Sequence, residues 1–337
     1  MSKEDAIERI AVIGGGAWGT ALAQTARRAG RAVTLWAREA EVVAAINRDH
    51  VNPLFLPDVS LEPDIRAVGD LAEAVRDTET ALLAVPAQHL RAVTAALAPL
   101  STPVVICAKG VEEKTGALLS EIVAATLPGV PLAVLSGPTF AAEVARALPT
   151  AVTLATADRA LGTRLAAALG TRSFRPYLSD DVVGVEIGGA VKNVLAIACG
   201  IVEGRKLGDN ARAALVTRGL AEMVRLALAK GGRAETLMGL SGLGDLVLTC
   251  TGAQSRNYSL GVALGQGRPL AAILAERRSI AEGVASAAAA AALARRLKVE
   301  MPIVAAVDAI LHRGAAIDEA ISALLARPFK SEASPRA

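Results

Sequence analysis

The string Gly14-Gly15-Gly16-Ala17-Trp18-Gly19 constrains this chain more than any other feature, because of what flanks it. It follows the apolar run Ile10–Ile13 and leads into the amphipathic run Thr20–Ala29. Gly14, Gly16 and Gly19 fit the spacing G-x-G-x-x-G. The first glycine makes a tight turn, the second lets backbone approach a pyrophosphate, and the third lets helix and strand pack closely. A helix starting there turns its free N–H groups toward the phosphates. A glycine-rich turn with no ligand has the same spacing; the strand before and the helix after make dinucleotide binding the expected reading.

The first half continues that rhythm. Ile10–Ile13, Ala32–Trp36, Thr80–Val85, Val104–Ala108, Leu132–Leu135 and Ala151–Thr156 read as strands, separated by helical stretches such as Ala40–Asn47, Gln88–Ala98 and Gly116–Leu127. Continuous apolar strands with helical crossovers imply a parallel sheet covered on both faces. The segment Asn47–Asp64, with Pro53, Pro57 and Pro63, reads as a long excursion. After Tyr177 the texture changes to Ala/Leu-rich runs punctuated by Gly, from Val182–Val202 through Ala211–Leu228 and Gly283–Leu297 to Ile317–Ala326. The expected fold is α/β: a Rossmann-like doubly wound sheet over residues 1–180, then an all-helical substrate and catalytic domain over 181–329. The polar tail 330–337 is expected to be disordered. A length of 337 residues suits about two domains.

Composition removes other classes. Hydrophobic residues make up 53% and charged residues 20%, which excludes a disordered chain. A net charge of +3 and an aromatic content of 2% give neither the basic footprint nor the stacking rings of a nucleic-acid binder. Cys107, Cys199 and Cys250 lie far apart in apolar runs and read as reduced core thiols. With His50, His89 and His312 equally scattered, no metal site is expected. The start is charged, and no run of about 18 apolar residues is free of charge, so a cytoplasmic chain without a transmembrane segment is expected.

Several polar residues stand out against these surroundings. Arg38, after the second strand, falls where a dinucleotide's adenosine ribose would lie and could grip a 2′-phosphate; Glu39 keeps a 2′-hydroxyl contact open, and a solvated Arg38 beside Glu39 is the alternative. Lys192 is the only charge between Ile187 and Val202, and Asp245 the only one between Thr236 and Gln254. Isolated buried ions cost several kcal/mol, so the simplest solution is that the two meet, with Asn193 helping. A packing ion pair or a Lys reaching water is the alternative; a desolvated Lys near other cations can trade protons near neutrality, as a carbonyl/alcohol redox step requires. Lys109 and Ser136-Gly137-Pro138-Thr139 follow strands on the edge where open α/β sheets bind ligands. Gln254-Ser255-Arg256-Asn257 combines hydroxyl, guanidinium and amide at a helix start, which suits an anion, or makes a simple cap.

Taken together these residues resemble the bacterial-type NAD(P)-dependent glycerol-3-phosphate dehydrogenases, from about Ile10 to Ala326. The strings that carry the resemblance include Gly14–Ala23, Asn52–Pro57, Lys109-Gly110, Leu135–Ala141, Gly188–Val194, Thr217–Met223, Gly242–Cys250 and Gln254–Asn257. The resemblance implies reversible reduction of dihydroxyacetone phosphate to sn-glycerol 3-phosphate with NADP(H) or NAD(H) and no metal. It makes Lys192 the proton-transferring residue, oriented by Asp245. It puts Lys109, Gly137, Thr139, Lys192, Asp245, Ser255, Arg256 and Asn257 on the substrate. It puts Ala17, Trp18, Arg38, Lys109, Ala141, Arg256, Ile280 and Glu282 on the cofactor. The family often has Ser where this chain has Ala17, a change that leaves the backbone N–H in place. The partner is a phosphorylated small molecule, and a homodimer is compatible. The competing readings are a two-domain reductase of a 2-keto or 3-hydroxy acid and a non-catalytic NADP-sensing protein.

Overall fold

The computed structural model describes residues 6–252, 254–277 and 281–329. Through the first half run β1 (Arg9–Ile13), α1 (Ala17–Arg28), β2 (Ala32–Trp36), α2 (Ala40–Asp49), β3 (Val51–Asn52), β4 (Leu56–Ser60), β5 (Ile65–Val68), α3 (Leu71–Ala74), β6 (Thr80–Leu83), α4 (Leu90–Leu97), β7 (Val104–Ile106), α5 (Leu119–Thr126), β8 (Leu132–Ser136), α6 (Ala141–Ala145), β9 (Thr150–Ala155), α7 (Arg159–Leu169) and β10 (Phe174–Ser179). Helices follow: α8 (Val182–Gly204), α9 (Asp209–Lys230), α10 (Ala234–Met238), α11 (Asp245–Thr251), α12 (Arg256–Gly265), α13 (Leu270–Ala275), α14 (Glu282–Arg296), α15 (Pro302–His312) and α16 (Ile317–Leu325).

Among the described residues the main sheet has eight strands in the order β10-β9-β8-β7-β6-β1-β2-β5. Successive residues point to opposite faces. Ile10, Val12, Leu82, Val105 and Leu135 therefore pack on α1, while Ile13, Leu83, Val104, Ile106 and Val134 pack on the face carrying α4 and α5. The strand order reverses between β1 and β6, which opens a crevice at their carboxyl ends.

The sheet departs from the sequence expectation in three places. β9 runs antiparallel to β8, so the sheet is not wholly parallel. The connection between them carries only α6, a helix of roughly 7.5 Å, too short to carry the chain back along a strand of roughly 16 Å. The excursion Asn47–Asp64 holds the antiparallel pair β3–β4, and the short strand β5 follows it at the sheet edge. At the opposite edge lies β10, which buries only Phe174 and so carries no apolar run.

The helical half is built around α8. By length and composition this helix could cross a membrane, but its whole apolar window is buried inside the protein. Gly200 and Gly204 of α8 face Gly261 and Gly265 of α12 so closely that a Cβ on Gly200 would stand 2.8 Å from the Gly261 Cα, and one on Gly204 would stand 2.9 Å from the Gly265 Cα. Backbone meets backbone along this seam, which fixes the start of α12 beside the middle of α8.

Candidate active site

The glycine turn fits a dinucleotide for reasons visible in its geometry. Gly14 has φ +129, and a Cβ there would stand 2.8 Å from the Ala84 carbonyl. The strand ends on either side of the crevice can approach only because that side chain is absent. Gly16 caps α1 without a side-chain hydrogen bond, and among the described residues no atom lies within 4 Å of where its Cβ would be. The packing of the described residues does not demand glycine at 16, and the open space suits the close approach of a pyrophosphate. Gly19 is demanded by packing, since a Cβ would collide with the Gly14 carbonyl. Asn52, fully buried, braces the turn by donating to the Gly15 carbonyl and to Thr20 Oγ1, both at 2.8 Å. The Trp18 indole donates to the Cys107 carbonyl at 3.1 Å, so this side chain ties the turn to the end of β7.

Two residues beyond Cys107 the sheet meets the helices. Lys109 Nζ donates to Asp245 Oδ2 at 2.7 Å, to the Gly137 carbonyl at 2.9 Å and to Thr139 Oγ1 at 3.5 Å. Lys192 Nζ, from the middle of α8, donates to Asp245 Oδ1 at 2.8 Å and to Thr249 Oγ1 at 2.8 Å. Asp245 has no exposed surface and Lys192 is 7% exposed. One buried carboxylate therefore lies between two lysines, one from each half of the chain. An ammonium has three hydrogens. All three of Lys109 find protein acceptors, whereas one on Lys192 has none among the described residues.

Burial lowers the pKa of Lys192 from 10.5 to about 8; Asp245 pulls upward, Lys109 downward and Glu282 weakly upward. Glu282, the half-buried first residue of α14, has its carboxyl raised by burial, against the pull of Arg256, Lys192 and Lys109. The loop that begins at Lys109 is held by the helical half. Buried Glu186 accepts from the Ser120 N–H at 2.8 Å and its hydroxyl at 2.5 Å, and Arg296 donates to the Thr115 carbonyl at 2.8 Å.

Not every candidate lies in this cluster. Asn193 does not join the Lys192–Asp245 pair, because adjacent helical residues point in different directions. Its Oδ1 accepts from Asn257 Nδ2 at 2.9 Å, and Asn257 Oδ1 accepts from the Gly283 N–H at 3.0 Å, tying α8, α12 and α14 together. Ser255 caps α12 by accepting from the Tyr258 N–H at 3.2 Å. Arg256 is exposed beside it. Arg38 is exposed and pairs with Glu39 Oε1 at 2.9 Å, the arrangement of the solvated alternative. Ala17 opens α1, and Ala141 opens α6 just beyond Thr139. Ile280 lies outside the described residues. Two supporting residues escaped the sequence reading. Thr249 lies four positions after Asp245, the spacing that puts it on the same helix face. Asn52 gave no local signal, since its partners are 37 and 32 positions away. Among the described residues, no group of three His, Cys, Asp or Glu could hold a metal ion.

Two sequence profiles match: that of the NAD-dependent glycerol-3-phosphate dehydrogenase N-terminus over residues 9–162, and that of the C-terminus over 181–322. The chain belongs to the NAD-dependent glycerol-3-phosphate dehydrogenase family. A Glycerol-3-phosphate dehydrogenase [NAD(P)+] of Rhodospirillum rubrum is 64% identical over 329 residues, covering 97% of this chain and 94% of that protein. One of Parvibaculum lavamentivorans is 58% identical over 330 residues, covering 97% and 99%. The crystal structure of the glycerol-3-phosphate dehydrogenase of Coxiella burnetii superposes with a TM-score of 0.92 at 42% identity, covering 95% of this chain and 99% of that one. As a glycerol-3-phosphate dehydrogenase family member, the chain pairs a nucleotide-binding sheet with a helical half that carries a buried lysine. The C-terminal profile begins at residue 181, between the end of β10 and the start of α8.

Proposed function

We propose that this chain reversibly reduces dihydroxyacetone phosphate to sn-glycerol 3-phosphate with NAD(P)H, supplying the glycerophospholipid backbone, with Lys192 as the proton-transferring residue. The observation that carries the reading is the buried carboxylate of Asp245 shared by Lys109 and Lys192. Bound NAD(P)H supplies the hydride. The dinucleotide belongs to the half over 1–180, held by the backbone at Gly14, Gly16, Ala17, Trp18 and Gly19, with Arg38 at the 2′-phosphate and Ala141, Arg256, Ile280 and Glu282 as further contacts. The open space at Gly16 and the uncapped start of α1 support that assignment. The substrate belongs to the half over 181–329 and the strand ends facing it.

Arg256, Ser255 and Asn257 answer the substrate phosphate with a guanidinium, a hydroxyl and an amide at a helix start. Lys109, Gly137 and Thr139 line the carbonyl side. Lys192 as an ammonium directs its unengaged N–H at the carbonyl oxygen, stabilises the charge that develops there and protonates it; as an amine it removes the alcohol proton in the reverse direction. Asp245 and Thr249 hold the other two hydrogens, so the amine can turn in one direction only. A pKa near 8 leaves both protonation states accessible near neutrality.

Steady-state oxidation of NADPH with dihydroxyacetone phosphate, run beside ketopantoate and 3-oxo acids, tests the assignment. Turnover of the keto acids without turnover of the triose phosphate overturns it. A cytoplasmic location and a homodimer belong to the same proposal. The three buried free thiols support the first. The exposed apolar side chains Leu228, Met238, Leu243 and Val247 support the second, and light scattering checks it.

A further inference from the structure

Gly188 and Gly189 lie one turn before Lys192 on α8, and neither is explained by helix formation: a glycine in a helix interior costs about 1 kcal/mol relative to alanine. Their surroundings supply a reason. A Cβ on Gly188 would collide with the Ser241 carbonyl oxygen and stand 3.4 Å from the Gly242 Cα, in the turn that delivers Asp245. A Cβ on Gly189 would stand 2.9 Å from Ser136 Oγ, 3.2 Å from Lys109 Cγ and 3.5 Å from Lys109 Cδ. The bare Cα of Gly189 is thus the seat of the Lys109 side chain. Ser136 Oγ is buried there without a hydrogen-bond partner among the described residues, so its hydroxyl does not draw the end of β8 against α8. Beyond that seat, Lys109 Nζ reaches acceptors on three separate residues, and a displacement at Cγ carries through to all three.

We propose that Gly189 is a positioning residue for the active site: by presenting no side chain, it sets Lys109 at hydrogen-bond distance from the carboxylate that Lys109 shares with Lys192. This rests on the assignment of Lys192 as the proton-transferring group. The charged and titratable groups facing Lys192 are Asp245 and Cys250 of α11, Lys109 beyond β7 and Glu282 of α14. Displacing Lys109 removes a neighbouring cation and leaves Asp245 to Lys192 alone, and both changes favour the ammonium.

Gly189→Ala is therefore expected to lower kcat by about 100-fold, the scale of an ångström-size misplacement. The alkaline limb of the reduction profile moves to higher pH. In a Lys109→Ala background, where the crowded Cγ is gone, adding Gly189→Ala changes kcat by no more than about twofold. Equal losses in the two backgrounds overturn the inference, as do a retained kcat or a lowered Tm with an unmoved limb. Should Gly189→Ala fail to fold, the double variant Gly189→Ala, Ser136→Gly, which vacates the nearest atom, takes its place. If that variant fails to fold as well, the glycine serves helix packing alone and the inference falls. The cycle reads the Gly189–Lys109 coupling whichever group transfers the proton, whereas the limb reads Lys192, so failure of the functional assignment and failure of this inference give different results.

Discussion

In the sheet half, glycine at 16 keeps space open; in the helical half, glycines at 200, 204, 261 and 265 abolish it. Among the described residues no atom lies within 4 Å of a Cβ built on Gly16, while one built on Gly265 would stand 2.6 Å from the Ile201 carbonyl oxygen. The first leaves room beside the start of α1, and the others serve the fold. Charge divides the two halves as well. The sheet half keeps pairs such as Arg9–Glu79 and Arg38–Glu39 at its surface and buries Glu112 against Arg91, whereas the helical half buries Lys192, Asp245, Glu186 and Glu222. Buried charged groups are tolerated where their partners are fixed: Asp245 lies between two lysines, Glu186 accepts from Ser120, and Glu222 accepts from the Ile303 and Val304 N–H groups.

Removing the buried amine should have the largest effect. Lys192→Ala is expected to lower turnover by roughly 10²–10⁴, the span of a lost general acid/base, with NADPH binding retained in a fluorescence titration. A collapse of binding with turnover per bound cofactor intact breaks the division of labour between the halves. Exchanging glycines for alanine tests the spatial contrast directly. Gly261→Ala forces a methyl against the Ile197 carbonyl and is expected to cost about 1–3 kcal/mol in chemical denaturation. Gly16→Ala should leave stability within about 0.5 kcal/mol and weaken NADPH binding instead.

The pH profile sharpens the comparison next. The pKa of Lys192 is lowered to about 8, so the ammonium that reduction needs is lost as pH rises through that value. Reduction is expected to fall about tenfold per pH unit above it, while oxidation of glycerol 3-phosphate rises as pH approaches that value from below and levels off beyond it. Opposite limbs in the two directions carry the prediction; parallel limbs remove Lys192 from the proton path. The smallest effect belongs to the exposed end of β2. Arg38→Ala should raise the KM for NADPH several-fold more than that for NADH, and equal changes reject the 2′-phosphate role.

Much of this was legible along the chain where cause and residue are close together. The G-x-G-x-x-G turn declares itself because its glycine spacing falls between an apolar run and an amphipathic run. Lys192 and Asp245 declare themselves because a lone charge in an apolar run needs a partner. What stayed hidden depends on distant neighbours. Nothing around β10 marks it as a strand, since it pairs along one side only and buries only Phe174 of its six residues. Asn193 looked like a third member of the Lys192 cluster and instead faces Asn257, a matter of helical rotation. Thr249 was readable in principle, from its spacing to Asp245.

The sequence by itself determined the βα nucleotide unit, the switch from sheet to helices near residue 180, and the identity of the two charges that had to be reconciled. Periodicity and desolvation act on residue type and spacing alone, so they can be read without coordinates. Only the tertiary structure decided that Lys109 takes the second oxygen of Asp245, that Asn52 braces the glycine turn, and that β9 reverses direction. Each of these depends on which backbones can approach, and that is set by packing among segments far apart in the chain.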